Sequence, residues 1–245
     1  SYAAKCFETL TDRDAFLANL AVVWSFRWFR DPKWLLTHYA NSGQRDKAKD
    51  VADMAAATGL LPAMEAKVHL LEESGEYAEA EACCREIEQR HDYVGALVGF
   101  YRRHNDQEDK NGTTYQQRYE ELRKRCFPKG LHKVQLVGSS EPPAHGVSFK
   151  GENSTMRHYG FRPETVVCAV DGYQVENPTQ YYFVRELDAA NPRMDLTIWS
   201  GDRYQDITVS INNRRFGVDL TSYEGGINVG KPNTASQGTA PPRRP

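Results

Sequence analysis

The chain lacks any long hydrophobic run. Its densest apolar stretch, Phe16 to Phe29, is about 14 residues and is broken by Asn19 and Arg27, where a bilayer-spanning helix needs about 20. It lacks an excess of charge of either sign, and a formal net charge of −2 leaves no global electrostatic case for nucleic acid. It lacks a disulfide framework as well. Cys6, Cys83, Cys84, Cys126 and Cys168 are odd in number, and adjacent cysteines close into a disulfide only with strain. They read as small buried hydrophobes and do not choose a compartment. No signal peptide opens the chain, and Ser1 in place of an initiating Met suits a processing boundary.

Catalytic spacings are missing too. There is no Gly-x-Ser-x-Gly elbow, phosphate-cradling Gly-x-x-x-x-Gly-Lys-Ser/Thr loop, His-Glu-x-x-His or Cys-x-x-Cys. The loop "QEDKNGTTYQQR" sets Asp109, Asn111 and Gly112 in the register of a calcium loop. Gln107 at its first ligand place and Arg118 at the bidentate place exclude that reading. His38 and His69 lie on helical segments and read as packing residues or as part of a solvated edge. Vicinal Cys83 and Cys84, helix-embedded without nearby cations, read as inert. No cofactor, metal site or catalytic residue is expected.

What is present falls into two halves. Residues 1–127 are rich in Ala, Glu, Leu, Lys and Arg and read as helix. Residues 131–220 offer short strands, "LHKVQLV", "GVSFK", "TVVCAV", "MDLTIW" and "DITVSI", separated by turn signals. Pro128-Lys129-Gly130 marks the boundary. The tail 221–245 is poor in apolar residues and is expected to be flexible.

The helical half repeats. "HYANSGQRDKAKDVADMA" and "HLLEESGEYAEAEACCREI" align without gaps at an offset of 32 residues, Gly43 on Gly75 and Ala48 on Ala80. Tyr39 and Leu71 stand four positions before each Gly; Ala52 and Ala55 match Cys84 and Ile87. Gly allows a tight turn between antiparallel helices, and the small residue lets their backbones approach. A period of this length implies a solenoid whose units bury each other's faces. The spacing large-…-Gly-x-x-x-x-Ala resembles tetratricopeptide repeats over residues 30–90, with a third unit at 93–126. It departs from that family in its shorter period, the missing Trp-…-Leu-Gly opening, and Leu60 where the closing Pro is usual. The aromatics between Trp24 and Phe29 suit a capping helix or a binding platform.

The second half turns on "GFRPETVVCAVDGYQV". A Gly-Phe-Arg-Pro turn feeds an apolar strand that ends at Asp171-Gly172, and Asn177-Pro178 then opens a helix. Gly160, Phe161, Pro163, Val167, Val170, Asp171, Gly172 and Val175 carry a resemblance to bacterial-type PDZ domains over about 90 residues. Glu164-Thr165 replaces that family's usual Gly-Asp. The resemblance implies a small β-barrel with one or two helices that binds peptide segments, including C-terminal ones, by strand addition. Its apolar-Gly-apolar loop falls on His145-Gly146-Val147, and Val147 and Phe149 would share the face of His145. Gln180 and Val184, one helical turn apart, would face them.

The expected fold is therefore α+β and multidomain, an α-solenoid of helix-turn-helix repeats followed by a small PDZ-like β-barrel. The expected role is that of a non-enzymatic adaptor that binds peptide segments by strand addition in the PDZ-like groove and on the concave face of the helical repeats, with no nucleic-acid partner and no membrane span. Two other readings stay open: a regulatory fragment of a larger enzyme such as a protease, and a structural module whose degenerate groove is filled by its own tail or by the solenoid. The resemblance leaves bacterial envelope and cytoplasm both open.

Overall fold

Gly43 and Gly75 explain where the helical half turns. Both have φ of +73°, backbone that only Gly adopts cheaply. Just past each, a main-chain N–H reaches back over the turn, Gln44 to the Tyr39 carbonyl and Glu76 to the Leu71 carbonyl, both at 2.9 Å. The 32-residue offset thus repeats one backbone turn twice.

The computed structural model describes Tyr39 and residues 42–225. Within them lie seven α-helices and an open antiparallel sheet of six strands, a mixed α+β arrangement. Helices α1 (Arg45–Ala57) and α3 (Tyr77–His91) follow the two glycine turns, and α2 (Leu61–Glu73) packs between them. Ala48, Ala80, Ala52 and Cys84 are fully buried, as close helix approach requires. The stack continues through α4 (Gly95–Arg103) and α5 (Tyr115–Cys126). Thr114 and Gln117 cap α5 reciprocally.

Buried Glu81 ties this end together, accepting from Arg85 Nη2 and Tyr101 Oη at 2.7 Å and from Arg118 Nη1 at 2.9 Å. Asp109 accepts from the Asn111 and Thr113 N–H groups and pairs with Arg118. A guanidinium therefore stands where a calcium loop would hold its ion.

The strands are β1 (His145–Lys150), β2 (Val166–Val170), β3 (Tyr173–Gln174), β4 (Arg193–Trp199), β5 (Tyr204–Ser210) and β6 (Asp219–Glu224). Their order is β5-β4-β2-β1-β6, with β3 paired to β2. Strand β2 reads as a continuous apolar run because it is covered on both faces. Val167 and Val170 enter the main core, whereas Val166 and Cys168 pack with Trp199 and Tyr204. Asp171 and Gly172 both take positive φ, the turn that closes β2 onto β3. Two helices complete this half. Asn153 caps α6 (Ser154–His158) through Met156 N–H. Asn177 caps α7 (Pro178–Glu186) through Gln180 N–H, with Pro178 in the first turn.

Two expectations give way here. Residues 131–137 form a single bridge, Lys133 to Tyr173, in place of a strand, because β3 is only two residues long. Strand β6 runs through Glu224, so the segment expected to be a flexible tail from 221 begins inside the sheet. Its six-residue pairing with β1 supplies the main-chain bonds that composition alone could not foresee. The rest of that tail from 226, and the aromatics from Trp24 to Phe29, lie outside the described residues.

One buried cluster runs without interruption from Met64 and Leu97 on the helices to Val167, Phe183 and Val209 on the sheet side. Phe127 meets Phe183 edge-on at 5.4 Å between ring centres. The helical stack and the sheet therefore share a core.

Candidate functional site

Strand β1 has partners on both sides. It pairs with β2 through Val147 opposite Val167, and with β6 along its whole length, His145 opposite Glu224 to Lys150 opposite Asp219. His145, Gly146, Val147 and Phe149 thus lie on an interior strand with no open margin for an incoming peptide. Val147 and Phe149 are core residues, while His145 is exposed. A Cβ on Gly146 would stand 2.5 Å from Val166 Cγ1 and 2.9 Å from the Val167 carbonyl oxygen. On α7, Val184 is fully buried and Gln180 nearly so. Gln180 Oε1 accepts from Glu176 N–H at 2.8 Å, and its Nε2 donates to the Cys126 carbonyl at 3.0 Å. The structure gathers the four β1 residues on one strand but spends Gln180 on the junction with α5.

The margin beside α7 belongs to β6, the last strand in the order. Between them opens a cleft of about 600 Å³. Tyr181, Tyr182 and Arg185 line it from α7, and residues 215–220 line it from the loop and β6. Leu61, His91 and Tyr93 of the helical half close one side.

The loop ahead of β6 is held from three directions. Arg214, buried in the fold, donates from Nη1 to the Asp188 carbonyl at 2.9 Å and pairs with Asp171. Asn153 Nδ2 donates to the Phe216 carbonyl at 2.5 Å. Gly217 has φ of +71°, which turns the chain into β6. Among the described residues, the N–H groups of Phe216, Gly217 and Val218 have no hydrogen-bond acceptor. Three adjacent donors beside a strand edge that is open among the described residues suit an anion or a chain terminus. Phe216-Gly217-Val218 is itself an apolar-Gly-apolar run directly before a strand. That signal stood in the sequence, but the weak alternation of "DLTSYE" hid the strand that gives it meaning.

Tyr93 sits at the centre of the charged wall. The Cζ atoms of Arg185 and Arg215 lie 5.2 and 5.1 Å from its ring centre. Its hydroxyl donates to Glu186 Oε1 at 2.8 Å and accepts from Arg185 Nη2 at 2.6 Å and Arg215 Nη2 at 3.1 Å. Burial pushes this hydroxyl far above the ordinary tyrosine value, against the pull of Arg185, so the proton stays on oxygen. Tyr182 meets the Tyr93 ring edge-on at 5.0 Å.

A second cleft, of about 430 Å³, lies on the helical side and also touches Tyr93 and Arg215. Small residues Ala66, Gly95, Ala96 and Gly99 form part of its wall.

Among the described residues, no cluster of His, Cys, Asp and Glu could hold a metal ion, and no helix is long and apolar enough to cross a membrane. Cys83, Cys84, Cys126 and Cys168 are buried free thiols. Burial pushes Cys83 up to about 11 and Cys168 up to about 12, far from the thiolate form. Compared with protein-family models, with curated proteins and with solved structures, the chain matches none.

Proposed function

We propose that the protein is a non-enzymatic adaptor that grips extended peptide segments. In this reading a PDZ-like unit is docked on tetratricopeptide-like repeats. The peptide adds as a strand to the outer edge of β6, across from α7, and a chain terminus meets the N–H groups of Phe216, Gly217 and Val218. One observation carries the reading: among the described residues, the outer edge of β6 has no strand partner and borders, with α7, a cleft lined by three residues whose N–H groups have no acceptor. Main-chain bonds of about 1 kcal/mol each supply affinity, and pockets for alternate side chains supply choice. The small-residue wall of the second cleft offers a further surface for protein segments on the helical half.

The test is a fluorescence-polarisation screen with decapeptides bearing free or amidated C-termini. Micromolar binders, weakened about tenfold or more by Gly217→Val at unchanged helical content, support the reading. Absence of binding by every free-ended and internal peptide overturns it.

A further inference from the structure

Arg185 is only 4% exposed, yet it lines the cleft from α7. Its Nε and Nη2 are engaged by Glu186 Oε1 at 3.3 and 2.8 Å, and Nη2 also donates to Tyr93 Oη at 2.6 Å. Its Nη1 has no acceptor among the described residues. Arg118 and Arg214 each seal an unpartnered Nε inside the fold. Arg185 Nη1 is not sealed in that way, and the residue borders open space.

A guanidinium cannot shed its charge, and buried cations are stable only when paired and hydrogen-bonded. Glu186 Oε1 already serves the Tyr93 hydroxyl and two nitrogens of Arg185. Glu65, the other nearby carboxylate, is committed to Arg215 through both oxygens. The cleft is lined by three cations, Lys150, Arg185 and Arg215, against two carboxylates, Glu152 and Asp219, both solvent-exposed. The Tyr93 and Tyr182 rings stand beside the Arg185 guanidinium, with its Cζ 5.2 and 5.1 Å from their centres.

Resting on the peptide-binding reading of this cleft, we infer that the bound segment carries an acidic side chain, Asp or Glu, whose carboxylate accepts from Arg185 Nη1. Such a charge-assisted bond is about twice as strong as a neutral one. Tyr93 comes from the helical half, so it is the docking of the two halves that shields the arginine and sharpens the choice.

The experiment changes the peptide first and leaves the protein intact. In a peptide that binds, each Asp and Glu is replaced in turn by Asn or Gln, with the free C-terminus kept throughout. One acid is expected to matter, its amide variant binding about tenfold or more weakly. The same pair is then measured on Arg185→Met, where the ratio is expected to fall to about one. A flat scan on the unaltered protein, or a preference that survives Arg185→Met, overturns the inference and leaves strand addition standing. Failure of every peptide to bind overturns both.

Discussion

Arg215, in the loop ahead of β6, and Glu65, on α2, meet as a two-point ion pair across the junction of sheet and helices. Nη1 lies 3.0 Å from Oε2 while Nη2 pairs with Oε1. The contact links residues 150 positions apart in the chain. Through Tyr93 Oη it continues to Arg185 and Glu186. The loop that would take a peptide end is thereby anchored to the helical half.

Breaking that pair is expected to loosen the junction at moderate cost. Both side chains are partly exposed, so solvent screening limits the loss to about 1 kcal/mol. Glu65→Gln and Arg215→Met should each lower the urea midpoint. The double variant should lose less than the sum, with a coupling energy of about 1 kcal/mol. Strictly additive losses would show that the two charges do not sense each other in solution.

The two glycine turns give a prediction about backbone rather than contacts. Nothing lies within 4 Å of a Cβ built on Gly43 or Gly75, but both residues hold φ of +73°. A β-branched residue there meets only its own backbone strain, about 1–2 kcal/mol. Gly75→Val should therefore lower the thermal midpoint, whereas a neutral outcome would mean the turn can reshape freely. Gly43→Val should cost a similar amount, since the Tyr39 and Leu71 turns share one geometry.

Glu72 on α2 is expected to contribute to the acid limb of the stability profile. Its side chain is 8% exposed, with Oε1 2.8 Å from Arg103 Nη2 and 3.0 Å from His104 Nε2, and Oε2 3.3 Å from His69 Nδ1. Burial opposes ionisation, but the hydrogen bonds and charges of His69 and Arg103 outweigh it and hold the carboxyl below its ordinary value. A carboxyl depressed on folding contributes stability that is complete above its unfolded value and is lost as pH falls through the folded one. The urea midpoint should hold at neutral pH and drop below about pH 4. Glu72→Gln should lower the midpoint at neutral pH and flatten that drop. An unchanged acid limb in the variant would remove Glu72 from the account.

The sequence made the helical turns legible because they depend on local chemistry. Gly at a positive φ, and Ala or Cys where helices touch, are decided within a few residues of each position. The Asn177-Pro178 helix start and the Asp171-Gly172 turn were readable for the same reason. Strand order is not local. Whether β1 is an edge depends on residues 219–224, about 70 to 80 positions later, whose polar pattern gives little sign of a strand. The sequence pattern alone therefore does not choose between His145-Gly146-Val147 and Phe216-Gly217-Val218 as the loop before an edge strand. Nor could spacing show that Gln180 would turn toward Cys126, because that contact exists only once the halves have docked.

Gln180 tests whether α7 uses this amide for the junction between the halves or for the peptide. Its amide is buried and spans Glu176 N–H and the Cys126 carbonyl, so Gln180→Ala leaves two groups at the junction without their partner. Each loss costs about 1–3 kcal/mol when the abandoned group stays shielded from water. A fall in the urea midpoint of that order is expected, with peptide affinity measured well below the transition changing less than about twofold. Gln180→Glu keeps the acceptor for Glu176 N–H but sets a buried carboxylate oxygen against the Cys126 carbonyl, and it should cost at least as much stability as Gln180→Ala. A Gln180→Ala protein that stays fully stable but loses peptide would place the amide at the ligand.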